Sequence, residues 1–245
     1  MQCVILAGGL ATRLGHRATQ IPKTLIQVAG SPFADWQLSW LASQDVKNVL
    51  YCIGHLGRQI EDHISNGSDW GLEVTYSREG EELLGTGGAV RLALDSDLLE
   101  DAFFVLYGDS YLCVDLLTME QCFRSMSLPA LMTIYRNRGR WGPSNAVLRN
   151  GKVVSYGKDS GASGGEFQWI DYGISIVERE LIEKNIPPRR VYDLAWLFAE
   201  QAAIGQVAAY EVAERFYEIG SPSGLSELEH RLRASGGSTR LVSDR

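Results

Sequence analysis

The chain has 245 residues, 45 % of them hydrophobic and 22 % charged, with a formal net charge of −7. That composition suits a globular α/β protein with a sizeable core and lacks the basic balance expected of a general nucleic-acid partner. No apolar run approaches the roughly 18 residues of a membrane span, so no membrane partner is expected either.

In chain order, "MQCVILAGG" has no basic leader and enters a strand at once, so no signal peptide is expected. The continuous apolar run "CVILA" reads as a strand covered on both faces. "SPFADWQLSWLASQ" reads as a helix with Ser31 as its cap, Pro32 in its first turn, and Phe33, Trp36, Trp40 and Leu41 on one face. "NVLYCIG" is a strand, "GRQIEDHIS" a short helix, "LEVTYS" a strand, "GGAVRLALD" a helix opening on glycines, and "AFFVLYGD" a buried strand ending in Gly-Asp. The alternation predicts an α/β fold: a Rossmann-like, mostly parallel mixed sheet flanked by helices. After about residue 128 the strands come close together in "ALMTIYR", "NAVLRNGKVVSYG" and "WIDYGISIVE", with a hairpin turn at Asn150-Gly151. "YDLAWLFAEQAAI" and "SPSGLSELEHRL" read as later helices. We expect one domain over residues 1–233, a first half over about 1–127 and a hairpin-bearing half over about 128–233. Residues 234–245 read as a loose tail. Cys3, Cys52, Cys113 and Cys122 are scattered without a C-x-x-C, which suits free thiols in a reducing, cytoplasmic setting.

The glycine-rich stretch "VILAGGLATRLG" is followed closely by "PKTL". It supplies neither the G-x-x-x-x-G-K-[ST] of a Walker A loop nor the G-x-G-x-x-G of a dinucleotide turn, which argues against a dehydrogenase. What remains is backbone able to approach a ligand at Gly8 and Gly9, free N–H groups that favour an anion, and two cations, Arg13 and Lys23. A plain strand-to-helix turn with a solvated Arg and Lys is the competing reading. Asp109 ends a buried strand, where open α/β sheets bind ligands. The four histidines show no metal spacing, and His55, His63 and His230 read as surface residues.

"LAGGLATRLGHRATQIPKTL", with "LGTGGAV", "YGDS" and "FYEIGSPSGL", resembles the signature of the sugar-1-phosphate nucleotidyltransferases across nearly the whole chain. Ala11 departs from the usual glycine. The resemblance implies that an NTP and a sugar 1-phosphate yield an NDP-sugar and pyrophosphate, the first half taking the nucleotide and the second the sugar. It implies nucleotide binding by Leu6, Ala7, Gly8, Gly9, Thr12, Arg13, Gly85, Thr86, Gly87, Gly88 and Asp109. Arg13, Lys23, Asp109 and Lys158 would carry catalysis. Lys158, Asp171 and Gly173 would meet the sugar, and Asp109 with Glu218 would hold Mg²⁺. Glu218 stands where many relatives have aspartate. Simple helix packing is the alternative for Gly87 and Gly88, and an edge-strand charge the alternative for Asp171. The loop around Arg136, Arg138, Arg140 and Trp141 reads as a phosphate-gathering rim or a solvated crossover, and residues 159–165 as a flap or an ordinary loop. "LGTGGA" resembles heptose and mannose guanylyltransferases, so GTP and D-glycero-D-manno-heptose 1-phosphate lead, with uridylyl transfer to N-acetylmuramate 1-phosphate or another hexose 1-phosphate second and cytosine left open as a third base. A non-catalytic binding module is the rival of another class. No C-terminal β-helix is expected, and a homodimer is one assembly left open.

Overall fold

A computed structural model of the chain describes residues 1–9, 20–80, 82–157 and 167–234. Two compact units emerge, and the chain alternates between them. The first comprises Met1–Leu83, Leu106–Tyr111 and the residues from Phe216 onward; the second comprises Leu84–Val105 and Leu112–Arg215.

The first unit is built on parallel strands. β1 (Gln2–Leu6) pairs with β4 (Asn48–Ile53), and β4 with β5 (Glu73–Arg78), giving the order β5-β4-β1. Cys3, Val4, Ile5, Leu50 and Tyr51 have essentially no exposure, as expected of strands covered on both faces. A short hairpin of β2 (Gln27–Val28) and β3 (Ser31–Pro32) precedes α1 (Phe33–Ser43). Ser31 therefore does not cap α1. It is a strand residue, Pro32 takes the N-cap position, and no side chain caps the helix. Phe33 and Leu41 are fully buried on α1 and Trp36 nearly so. α2 (Gly57–Ile64) buries Ile60 and Ile64 and carries His63, whose Nε2 lies 2.7 Å from Asp35 Oδ1. α7 (Pro222–Ala234) packs Leu228 and Leu232 against Val28, Phe33, Trp36 and Ile219.

The second unit mixes strand directions. Its strands β8 (Ala130–Arg136), β9 (Ala146–Arg149), β10 (Lys152–Tyr156), β11 (Trp169–Glu178) and β12 (Val207–Val212) run in the order β11-β8-β12-β10-β9. β12 lies parallel to β8, while β11 with β8 and β10 with both β9 and β12 are antiparallel. The β9–β10 hairpin turns at Asn150 (φ 51°) and Gly151 (φ 75°), the two left-handed residues that a type I′ turn requires. Helices α3 (Gly85–Asp95), α4 (Leu116–Ser125), α5 (Arg179–Asn185) and α6 (Leu194–Ala203) belong to this unit. α4 is capped by Asp115, whose carboxylate accepts from the Thr118 N–H at 2.6 Å. β6 (Ala102–Tyr107) hands the chain from the second unit to the first at Leu106. No helix among the described residues is long and apolar enough to cross a membrane.

Candidate functional site

In the first unit, the end of β1 opens into Ala7, Gly8 and Gly9. The Ala7 N–H donates to the Cys52 carbonyl at 2.9 Å and continues the β1–β4 ladder past Leu6. A Cβ on Gly8 would stand 2.5 Å from Glu79 Oε2, and one on Gly54 2.9 Å from the same oxygen, so the two glycines make room for this carboxylate. Gly9 is exposed, with no described residue within 4 Å of the position a Cβ would take. Thr12 and Arg13 lie outside the described residues, as does Ala11.

Lys23 and Asp109 meet directly. The Lys23 ammonium donates to Asp109 Oδ2 at 2.5 Å, with the lysine side chain 17 % and the aspartate side chain 33 % exposed. Lys23 sits in a 3-10 turn (Lys23–Leu25), and Asp109 follows β6 after Gly108. Gly108 is held against the end of β1: its N–H donates to the Leu6 carbonyl at 3.0 Å, and a Cβ there would lie 2.7 Å from that oxygen. The turn is pinned from the other side by Gln37 of α1. Its Nε2 donates to the carbonyls of Tyr107 (3.1 Å) and Ser110 (2.8 Å), on either side of Gly108-Asp109.

Glu218 joins them through a short ladder. β7 (Ser110–Tyr111) pairs antiparallel with β13 (Tyr217–Glu218), placing Glu218 opposite Ser110, and the Ile219 N–H donates to the Asp109 carbonyl at 3.0 Å. The Glu218 carboxylate accepts from the Gly220 N–H and from Ser221 Oγ at 2.5 Å. A Cβ on Gly220 would lie 2.7 Å from the Lys23 ammonium and 2.5 Å from Glu218 Oε2, so all three groups crowd one point. The result is two carboxylates and a lysine at one sheet end. Two carboxylates suit a divalent ion that completes its shell with phosphate oxygens and water. Among the described residues there is no cluster of three acidic, His or Cys side chains that would hold a metal by itself.

In the second unit, Gly85–Gly88 open α3 against the segment Arg190–Leu194. The Gly87 and Gly88 N–H groups donate to the Tyr192 carbonyl at 2.9 and 3.1 Å, and the Tyr192 N–H donates to the Leu84 carbonyl at 2.8 Å. A Cβ on Gly87 would stand 2.8 Å from the Tyr192 ring and one on Gly88 2.6 Å from the Arg190 carbonyl, so packing alone requires these two glycines. Gly85 has φ +73°. The Thr86 hydroxyl donates to Asp193 Oδ1 at 3.0 Å and accepts from the Leu194 N–H at 2.8 Å.

Asp171 and Gly173 lie on β11. The Asp171 carboxylate accepts from the Tyr156 hydroxyl at 2.8 Å and the Gly173 N–H at 2.9 Å, and Gly173 has φ +104°. Desolvation pushes the Asp171 carboxyl up from the ordinary aspartate range, and these two hydrogen bonds only partly oppose it. The Arg136–Arg140 loop is organised from inside. Buried Asn137 donates through Nδ2 to the Gly142 carbonyl (2.7 Å) and Ser144 Oγ (3.1 Å), while its Oδ1 accepts from the Trp141 N–H (2.9 Å). The Arg215 guanidinium stacks 3.5 Å over the Trp141 ring. Lys158 and the stretch 159–165, apart from Gly157 before it, lie outside the described residues.

Three residues that sequence reasoning passed over matter here. Gln37 is 1 % exposed, and a lone amide inside an apolar helix stretch was a signal for it. Asp193, directly before the apolar run of α6, was legible as a cap. Glu79 had no signal of its own.

A family model described as nucleotidyl transferase matches residues 2–139. The chain is 28 % identical over 242 residues to a D-glycero-alpha-D-manno-heptose 1-phosphate guanylyltransferase of Aneurinibacillus thermoaerophilus, covering 95 % of this chain and 99 % of that protein. It is 27 % identical over 206 residues to a UTP–glucose-1-phosphate uridylyltransferase of Synechocystis, covering 79 % of this chain and 53 % of that protein, so it spans about half the length of that relative. Among solved structures, HddC from Yersinia pseudotuberculosis shares the fold at TM-score 0.78 and 23 % identity, covering 94 % of this chain and 99 % of that one.

Proposed function

The chain belongs to the nucleotidyl transferase family, and from that premise we propose that it transfers a nucleoside monophosphate from an NTP to a sugar 1-phosphate. The sugar phosphate oxygen forms a bond to the α-phosphorus in line, the bond from that phosphorus to the bridging oxygen breaks, and pyrophosphate leaves. The single observation that carries this reading is the junction of Lys23, Asp109 and Glu218 at the end of β1, where Gly108 packs against Leu6 and Ala7.

Such a reaction needs little covalent chemistry from the protein. It needs two polyanions held in line and their repulsion neutralised. The backbone N–H of Gly9 suits the triphosphate, since no described side chain stands within 4 Å of its Cβ position, whereas Gly8 faces the Glu79 carboxylate. The Lys23 ammonium, now on Asp109, is within reach of both carboxylates' surroundings and serves as a point charge between the α-phosphate and the incoming phosphate. Asp109 and Glu218 are the residues to hold Mg²⁺. Bound there, the ion would neutralise phosphate charge and favour the departure of pyrophosphate. Gln37 and the β7–β13 ladder keep the two carboxylates in register. Arg13 is assigned to the departing pyrophosphate and Lys158 to the sugar phosphate on the strength of the family motif alone. Asp171, with its backbone and phenol donors, is a hydrogen-bond acceptor suited to sugar hydroxyls.

For the finer identity we read GTP and a heptose 1-phosphate. A relative matched from end to end is described as a guanylyltransferase of that sugar, whereas the uridylyltransferase is matched over half its length. The test is a matrix of four NTPs against heptose, mannose, glucose and N-acetylated sugar 1-phosphates with Mg²⁺, read as pyrophosphate release. A dominant GTP–heptose signal supports the finer reading. A UTP-only signal replaces it, and silence across the matrix removes the enzymatic reading in favour of a binding module.

A further inference from the structure

The segment Arg190–Asp193 is tied to the glycine-rich start of α3 by more groups than packing requires. The Tyr192 carbonyl takes two of the four N–H groups that a helix start leaves unpaired, those of Gly87 and Gly88. The Tyr192 N–H returns a bond to the Leu84 carbonyl, so the two backbones are locked from both sides. Asp193 then caps α6 through the Ala195 N–H at 3.0 Å and, with the same Oδ1, accepts the Thr86 hydroxyl. Thr86 in turn accepts the Leu194 N–H. The start of α6 is therefore capped by Asp193 and Thr86 together, and the start of α3 by the Tyr192 carbonyl, with the Thr86–Asp193 bond joining the two.

We propose that Asp193 is a positioning residue for nucleobase selection, holding the Leu84–Gly88 backbone in the one shape that meets the base. The inference rests on the proposed function and on the placement of the nucleotide along Gly85–Gly88 that the family resemblance implies, with its base at this segment. Its consequence is specific. The amides of Gly87 and Gly88 and the hydroxyl of Thr86 are consumed internally, so they support the recognition surface rather than form it. Gly85, with φ +73° and a Cβ position 2.8 Å from the Tyr192 carbonyl, is the point where that clamp bends the chain. If the clamp loosens, the segment relaxes and competing bases lose less than the preferred one.

The experiment compares the wild-type chain with Asp193→Ala, Asp193→Asn and Thr86→Val, measuring kcat and KM for each of the four NTPs, with thermal unfolding alongside. For Asp193→Ala, KM for the preferred NTP rises about tenfold and the preference over the next NTP falls about tenfold, the scale of one lost hydrogen bond, while kcat falls less than about threefold. Asp193→Asn keeps an acceptor for both Thr86 and Ala195 and restores the preference to within about threefold. Thr86→Val leaves the Asp193 cap on Ala195 in place and moves the preference in the same direction as Asp193→Ala, which covers the case in which the latter does not fold. A purely structural role lowers the unfolding temperature without changing the preference. If Asp193→Ala and Thr86→Val are active with unaltered NTP preference, the inference is overturned while the transferase reading stands. A wild-type chain inert with every NTP overturns both.

Discussion

Replacing Lys23 by methionine keeps most of the side chain's length and removes its charge. In the folded protein this leaves the Asp109 carboxylate, two-thirds buried, without the ammonium 2.5 Å away. A unit charge pair at about 4 Å and an effective dielectric near 20 is worth about 4 kcal/mol, but solvent reaches both partners and screens much of it, so the expected loss of stability is about 1 kcal/mol. The loss in turnover is larger. On the proposed mechanism the same ammonium would face developing phosphate charge, where one such stabiliser contributes about 2.7–4 kcal/mol. The expected fall in kcat/KM is therefore about 10²–10³-fold, with the protein still folded at 25 °C. The assay is initial-rate pyrophosphate release at saturating Mg²⁺, paired with a thermal melt. Lys23→Arg should be intermediate, because the forked guanidinium is bulkier than the ammonium that now fits against Gly220, Asp109 and Glu218. A folded Lys23→Met protein with kcat/KM within about tenfold of wild type would refute the assignment of this lysine.

Gly108→Ala sets a methyl group 2.7 Å from the Leu6 carbonyl and 3.2 Å from the Thr24 methyl, and should destabilise by about 1–3 kcal/mol in urea unfolding. Asp115→Ala removes the α4 cap and should cost about 1 kcal/mol by the same measurement, with no change in NTP preference. For Asp171 the folded carboxyl holds its proton more tightly than the unfolded chain does. Its contribution therefore favours folding at low pH and is lost as pH rises from the ordinary aspartate value of 3.8 through the higher folded value. Asp171→Asn lacks that titration, so its stability relative to wild type should rise with pH across that window; a pH-independent difference would contradict the sign.

The long apolar runs made β1, β4 and β6 legible, because strands buried on both faces leave a continuous hydrophobic signature. The Asn150-Gly151 hairpin was equally plain, since its dihedrals admit few residue pairs. β12 was not: "VAAYEV" is short and alanine-rich, and only its place between β8 and β10 makes it a strand. Ser31 looked like a helix cap on local chemistry, but pairing with Val28 drew it into a hairpin. At the site, Lys23 and Asp109 were readable as chemistry, yet their contact joins residues 86 positions apart, which spacing alone does not reveal. The Thr86–Asp193 bond, 107 positions apart, had no sequence signal for the same reason. Gly87 and Gly88 illustrate the other limit, because the same glycines serve close backbone packing and close ligand approach, and a sequence does not distinguish the two.

The two-residue pairing of Tyr217-Glu218 with Ser110-Tyr111 also bears on biogenesis. A nascent chain halted before Phe216 could already have folded most of its strands and helices, yet its Asp109 and Lys23 would lack their third partner. The charged junction is thus completed only once synthesis has passed Glu218, well after β1, β4, β5 and β6 have emerged.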